Sequence, residues 1–142
     1  MATSTTENER IARRVPEEIA TEHRLDLIDE VYAGDAVERD PFGEYRGREE
    51  IRAGIERIHA AFPDITATVE DAVAEGDTVA MRITLRGTHE GPFEGVEATG
   101  RGFEIANQVF TRIEDGKITE RWVQPDALGL MVQLGIVEPP TE

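Results

Sequence analysis

Trp122 and Asp126 stand four residues apart, where a predicted strand gives way to a predicted helix. A carboxylate beside a large aromatic at a strand end is partly desolvated, which raises its pKa and suits it to general acid–base work. Asp126 is therefore the candidate catalytic residue. It has a second reading. Asp is a favoured N-cap, Ala127 onward looks helical, and a carboxylate that accepts backbone N–H groups stays ionised and carries protons poorly. Trp122 is either a platform for a ligand ring or core packing. The other candidate substrate-binding residues are Asp40, His23, Asn107 and Gln108. Asp40 ends a short predicted strand before Pro41, and His23 lies on an apolar helical stripe. Asn107 and Gln108 face opposite ways in one strand, so at most one of them points inward, where it would orient a carbonyl.

Other chemistries find less support. Cysteine is absent, which removes disulfides, thiolate metal sites and cysteine nucleophiles. The three histidines, His23, His59 and His89, lack the spacing of metal ligands, so no metal is expected, and His59 is expected at the surface. Gly91-Pro92-Phe93-Glu94-Gly95 matches neither nucleotide-binding fingerprint, and no cofactor is expected. Arg82 and Arg86 share a strand face, with Arg101, Arg112 and Arg121 candidates to lie near them. They read as partners for carboxylates, or as a clamp for an acidic ligand.

Composition bounds the partners. The 142 residues suit one domain, and the net charge is −15, with Lys117 the single lysine. Such acidity repels phosphate and argues against nucleic acid or an anionic membrane as partner. It resembles the composition of salt-in halophiles. The first ten residues contain no apolar signal region, and the longest apolar stretch, Ala127 to Val137, is broken by Gln133. A cytoplasmic protein is expected.

The elements that must position these residues follow from periodicity. Residues 1–14 read as a flexible tail. Ile19, His23, Leu27 and Val31 predict a helix from Pro16 to about Tyr32. Ala36 to Pro41 is a candidate edge strand, and Phe42 to Gly47 a turn-rich connector. Ile51, Ile55, Ile58 and Phe62 predict a second helix from about Arg48. The period then switches to two. Ile65 to Val73, Val79 to Arg86, Phe103 to Phe110 and Ile118 to Gln124 read as strands, with turns at Glu75-Gly76-Asp77 and Glu114-Asp115-Gly116. Leu128, Met131 and Leu134 suggest a short last helix. The domain is read as 15–138, with a tail at 139–142. Helices first and an antiparallel meander after them give an α+β fold: a cone-shaped curved sheet packed on the N-terminal helices around a pocket.

Several short pieces, in order, carry a resemblance. They are Asp29-Glu30-Val31-Tyr32, Asp40-Pro41, Phe62-Pro63-Asp64, Gly87-Thr88-His89, Thr99-Gly100-Arg101, Gly116-Lys117-Ile118 with Glu120 and Trp122, and Gln133-Leu134-Gly135. Together, over Ile19 to Gly135, the chain resembles the SnoaL-like polyketide (ester) cyclases of the nuclear-transport-factor-2-like superfamily. The resemblance implies a cofactor-free, acid/base-catalysed aldol-type ring closure of a small hydrophobic carbonyl compound. It implies Asp126 as acid/base and a polar residue at Asp40, and sheets of this class pair into homodimers. The alternatives are a non-catalytic small-molecule binder of the same fold, or a related isomerase or hydrolase.

Overall fold

Long stretches of alternating apolar residues build the frame, and the helices follow from the faces those strands leave uncovered. A computed structural model describes residues 4–139. Helix α1 (Thr5–Arg14) is followed by a π-helical turn (Val15–Ala20), a 3-10 turn (Leu25–Leu27) and α2 (Ile28–Val31). Then come β1 (Tyr32–Asp40), β2 (Gly43–Arg46), α3 (Gly47–Ala61), β3 (Thr66–Glu75), β4 (Thr78–Thr88), β5 (Gly102–Glu114), β6 (Lys117–Pro125) and α4 (Ala127–Gln133). The fold is α+β, with one curved six-stranded sheet in the order β2-β1-β6-β5-β4-β3.

The tail expected over 1–14 is largely α1; Met1–Thr3 lie outside the described residues, as do 140–142 of the C-terminal tail. Ser4 caps the helix by accepting from the Glu7 N–H at 3.1 Å. Arg13 pairs with Glu9 at 3.0 Å and Glu17 at 2.8 Å, each four residues away on the same helical face. Ile11 and Ala12 are buried, and Asn8 Nδ2 donates to the Gly76 carbonyl at 3.2 Å. The apolar side of α1 is too narrow to stand out from its polar composition.

The single helix expected from Pro16 to Tyr32 is broken. Pro16 has no N–H to continue the α ladder, and the Thr21 N–H reaches back five residues to the Pro16 carbonyl at 3.2 Å. The Thr21 hydroxyl then accepts from the Ala67 N–H at 2.9 Å, which ties this turn to β3. His23 takes a left-handed conformation, φ 59°, and the stripe ends there.

Two further expectations change in the sheet. β1 is an interior strand of nine residues, parallel to β6, while the expected connector supplies β2 as the edge. In β6, Arg112 pairs with Glu120 but Ile113 with Ile118, so Thr119 is an extra, bulged residue. A one-residue bulge moves every later side chain to the other face. Ile118 is inward, and beyond the bulge Arg121 is inward too, with Val123 and Pro125 on the same face. β3 has the same device at Glu70, between the pairs Val69–Ile83 and Asp71–Arg82.

Tyr32, Ile28, Ile51, Val79, Ile113 and Ile118 are fully buried in one core cluster. Phe62, Phe93, Phe103, Ile105, Leu130 and Leu134 form a second. Full burial of side chains of this size stabilises by about 1.5–3 kcal/mol each. The two clusters wall a hollow between helices and sheet.

Candidate functional site

Cross-strand register sorts the inward side chains into layers. Glu38, Arg121 and Thr111 lie level with one another on β1, β6 and β5. Val123, Val109 and Met81 form the next layer, with Asp40 two residues beyond Glu38 on the same face of β1. Pro125, Asn107 and Ile83 follow, then Ile105 and Leu85, then Phe103. The opposite wall comes from Val15–Ala20 and from Ile55, Ile58, His59 and Phe62. The hollow measures about 470 Å³, within the usual range of small-molecule sites, about 300–1,000 Å³.

Its mouth is shaped by the connection after β4. The Glu90 and Gly91 N–H groups both donate to the Ala61 carbonyl, at 2.9 and 3.1 Å, seating this segment on the end of α3. A small hairpin at Phe93–Val96 then brings Phe93 edge-on to Phe42, 5.4 Å between ring centres.

Three carboxylates line the cavity among the described residues: Glu38, Asp40 and Glu94. Glu94 is exposed, and Glu38 is engaged. The Tyr32 hydroxyl donates to Glu38 Oε1 at 2.8 Å, and Arg121 Nη1 donates to the same oxygen at 2.9 Å. Burial raises the Tyr32 pKa well above the usual phenol value. Burial also opposes the Arg121 charge, but the Glu38 carboxylate beside it favours the charged form and the guanidinium stays protonated.

Asp40 is half-buried where β1 turns into β2. Its Oδ1 accepts from the N–H groups of Phe42 at 2.8 Å and Gly43 at 3.0 Å, an Asx turn that closes the hairpin. Oδ2 takes no part in that turn. Burial pushes the Asp40 pKa above the usual carboxylate value, against those two N–H groups and with help from the nearby Glu38 charge. Tyr45 is also on the wall, and burial, with help from the Asp40 charge, raises its pKa in turn.

The residues singled out in the sequence divide. Asp40 and Asn107 line the cavity. Asp126 caps α4: its Oδ1 accepts from the Gly129 N–H at 2.9 Å, and its side chain is exposed. Its neighbours Pro125 and Leu130 line the cavity and it does not. Trp122 faces away from the hollow, between the guanidinium groups of Arg39 and Arg112 at 5.7 and 5.4 Å. Gln108 is exposed on the outer face, as its opposition to Asn107 requires. His23 is exposed and stacks on His59, 3.7 Å between ring centres. Contrary to expectation, His59 is the histidine on the wall; its Nε2–H donates to the Ala20 carbonyl at 2.9 Å, and burial lowers its pKa. Arg82, Arg86 and Arg112 pair with Asp71, Glu104 and Glu120 rather than forming a clamp. Among the described residues no cluster of His, Asp and Glu is arranged to hold a metal.

The family description "SnoaL-like polyketide cyclase" matches residues 10–134 of the chain. This protein belongs to the SnoaL-like polyketide cyclase family. Its relatives include the aklanonic acid methyl ester cyclase DauD of Streptomyces sp. (strain C5), 37% identical over 101 residues. That stretch is 70% of this chain and 62% of DauD. Among solved structures, IdmH of Streptomyces antibioticus, a proposed polyketide cyclase, is 36% identical with a TM-score of 0.79, covering 90% of this chain and 98% of its own. AclR of Streptomyces galilaeus, a proposed hydroxylase, is 28% identical with a TM-score of 0.83, covering 98% and 87%.

For a SnoaL-like chain, the residues that sequence reasoning missed are Glu38 and Tyr45, together with the inward role of Arg121. A signal existed for one of them. Glu38 and Asp40 are two apart in a strand, so both carboxylates must share a face. Arg121 was hidden by the Thr119 bulge, because strict alternation from Ile118 turns it outward.

Proposed function

We propose that this protein closes a ring in a small, hydrophobic, carbonyl-bearing substrate by an aldol-type step, with Asp40 as the proton carrier. The observation that supports this most is the setting of Asp40. It is a half-buried carboxylate on a largely apolar wall, its pKa raised by burial, with one oxygen outside the turn. The family and the named activity of DauD agree with it.

A carbon acid flanked by carbonyls gives its proton to ionised Asp40. The electron pair is delocalised into the adjacent carbonyl, and the resulting carbon nucleophile adds to a second carbonyl of the same molecule. Protonated Asp40 then returns its proton to the new alkoxide. Proton transfer of this kind supplies about 10²- to 10⁴-fold. Folding the substrate against the aromatic and aliphatic walls brings the reacting carbons together and supplies much of the rest. Asn107, on the cavity wall, would orient a substrate oxygen.

An aromatic β-keto ester carrying a second ketone tests this. The expected product has unchanged mass and one ketone carbon fewer by ¹³C NMR. Asp40→Asn should slow its formation by about 10²-fold or more. Tight binding with no conversion by the wild type would instead support the binding-protein alternative.

We further propose that the protein works as a cytoplasmic homodimer joined through the outer sheet face. That face exposes Val73 (66%) and Phe110 (54%) beside Gln108 and Arg82. No helix among the described residues is long and apolar enough to cross a membrane. Light scattering should give twice the monomer mass, and Phe110→Glu should halve it.

A further inference from the structure

Arg121 is a cation built into the inner wall and only half used. The residue is 6% exposed and its Nη1 is held by Glu38, which Tyr32 holds in turn. Its Nε–H, fully buried, meets no acceptor. Buried N–H groups are almost always paired, and an unpaired one on a charged group invites an oxygen from a ligand. Thr111, level with Arg121 on β5, also has a buried hydroxyl oxygen without a partner. This layer is thus polar, fixed in place and unfinished, and Arg121 and Glu38 are its members that line the cavity. It lies one layer from Asp40, roughly 7 Å along the strands.

We infer that Arg121 is the oxyanion donor of this site: its Nε–H binds the oxygen on which negative charge collects, and Glu38 and Tyr32 are positioning residues that fix the guanidinium. This rests on the reading of Asp40 as the base. When Asp40 removes the carbon-bound proton, the C–H pair becomes the new C=C bond and the carbonyl π pair moves to oxygen, giving an enolate. Asp40 is then neutral, so the enolate meets the unpaired N–H of Arg121, whose charge Glu38 already balances, with no ionised Asp40 beside it. When the new C–C bond forms, the charge passes to the second oxygen, which takes the proton from Asp40. A preformed donor aimed at developing charge in a site shielded from water is among the most effective catalytic devices. The ligand class follows: a compound whose enolisable ketone, or a phenol in its place, reaches the Arg121 layer while its hydrophobic body lies against the next layers of the wall, at Val123 and Ile83.

The experiment uses 2-naphthol, whose ionised form absorbs at longer wavelength and mimics an enolate. Its apparent pKa is measured when bound to the full chain. Bound to the wild type, the phenol should ionise about one to three pH units lower than when bound to Arg121→Lys, which keeps the charge but moves the N–H. The double variant Glu38→Leu/Arg121→Met leaves neither charge alone in the interior and should also lose the shift. Glu38→Gln should lower kcat with little change in KM, and that loss should vanish in an Arg121→Lys background, which a merely structural role would not produce. An unchanged naphthol pKa in Arg121→Lys, or no naphthol binding by the wild type, overturns the inference. Failure of the Asp40 reading shows elsewhere: turnover would survive in Asp40→Asn while the naphthol shift remained.

Discussion

One oxygen of Asp40 closes a hairpin and the other stays clear of it, so a single side chain serves both structure and cavity. Its folded-state pKa is raised, chiefly by burial, so the charged form is the disfavoured one in the folded protein. Stability from this group is fully present below the unfolded carboxylate range and is lost as pH rises through the folded value. Asp40→Asn keeps an acceptor for the turn. It should therefore raise Tm at neutral pH, with the gain fading below about pH 4. Thermal melts across that range check this, and a lower Tm at neutral pH contradicts it. The acid limb of kcat/KM should lie above the usual carboxylate range for the same reason. Asp126 behaves as a cap. Asp126→Ala should lose about 1 kcal/mol of stability, whereas Asp126→Asn, an equally good cap, should lose little. Urea denaturation separates the two.

Single elements decide which side chains reach the hollow. The Thr119 bulge turns Arg121 inward and Trp122 outward, and no residue type in Lys117–Pro125 announces it. Strands β3 to β6, the turns between β3 and β4 and between β5 and β6, and the helix over Gly47–Ala61 were legible because each strand and the helix repeats one period over many residues; the four-residue β2 was too short to show one. Asn107 and Gln108 were legible as an opposed pair for the same reason. His23 was not: its stripe depends on an unbroken helix, and Pro16 and Thr21 end that helix through a bond the Thr21 hydroxyl makes to a distant strand. Asp126 carried both of its readings in the sequence, and the cap is the one seen. Helix α1 was masked by its charges, yet Ile11 is buried. Ile11→Ala should destabilise by roughly 2–5 kcal/mol, where a flexible tail would give no change. At the mouth, a methyl group on Gly91 would run into the Ala60 carbonyl oxygen. Gly91→Ala should lift this segment off α3 and weaken naphthol binding. An unchanged affinity would show that Phe93 keeps its place without that seat.

Across the whole molecule the net charge of −15 is spread over a surface where Arg–Glu and Arg–Asp pairs neutralise only part of it. Exposed pairs contribute little each, about 0–1 kcal/mol, so the unpaired carboxylates dominate the response to salt. Tm should rise from dilute buffer to molar salt, and a flat or falling Tm contradicts a surface limited by its own repulsion. Turnover, on the proposed reading, depends on one carboxylate within the cavity. The most direct measurement compares kcat/KM for ring closure in the wild type, Asp40→Asn and Asp126→Asn at one pH. With Asp40 as proton carrier, the first variant falls by about 10²-fold or more and the second stays within a few-fold of wild type. The reverse pattern, activity kept without the Asp40 carboxylate and lost without that of Asp126, would contradict it.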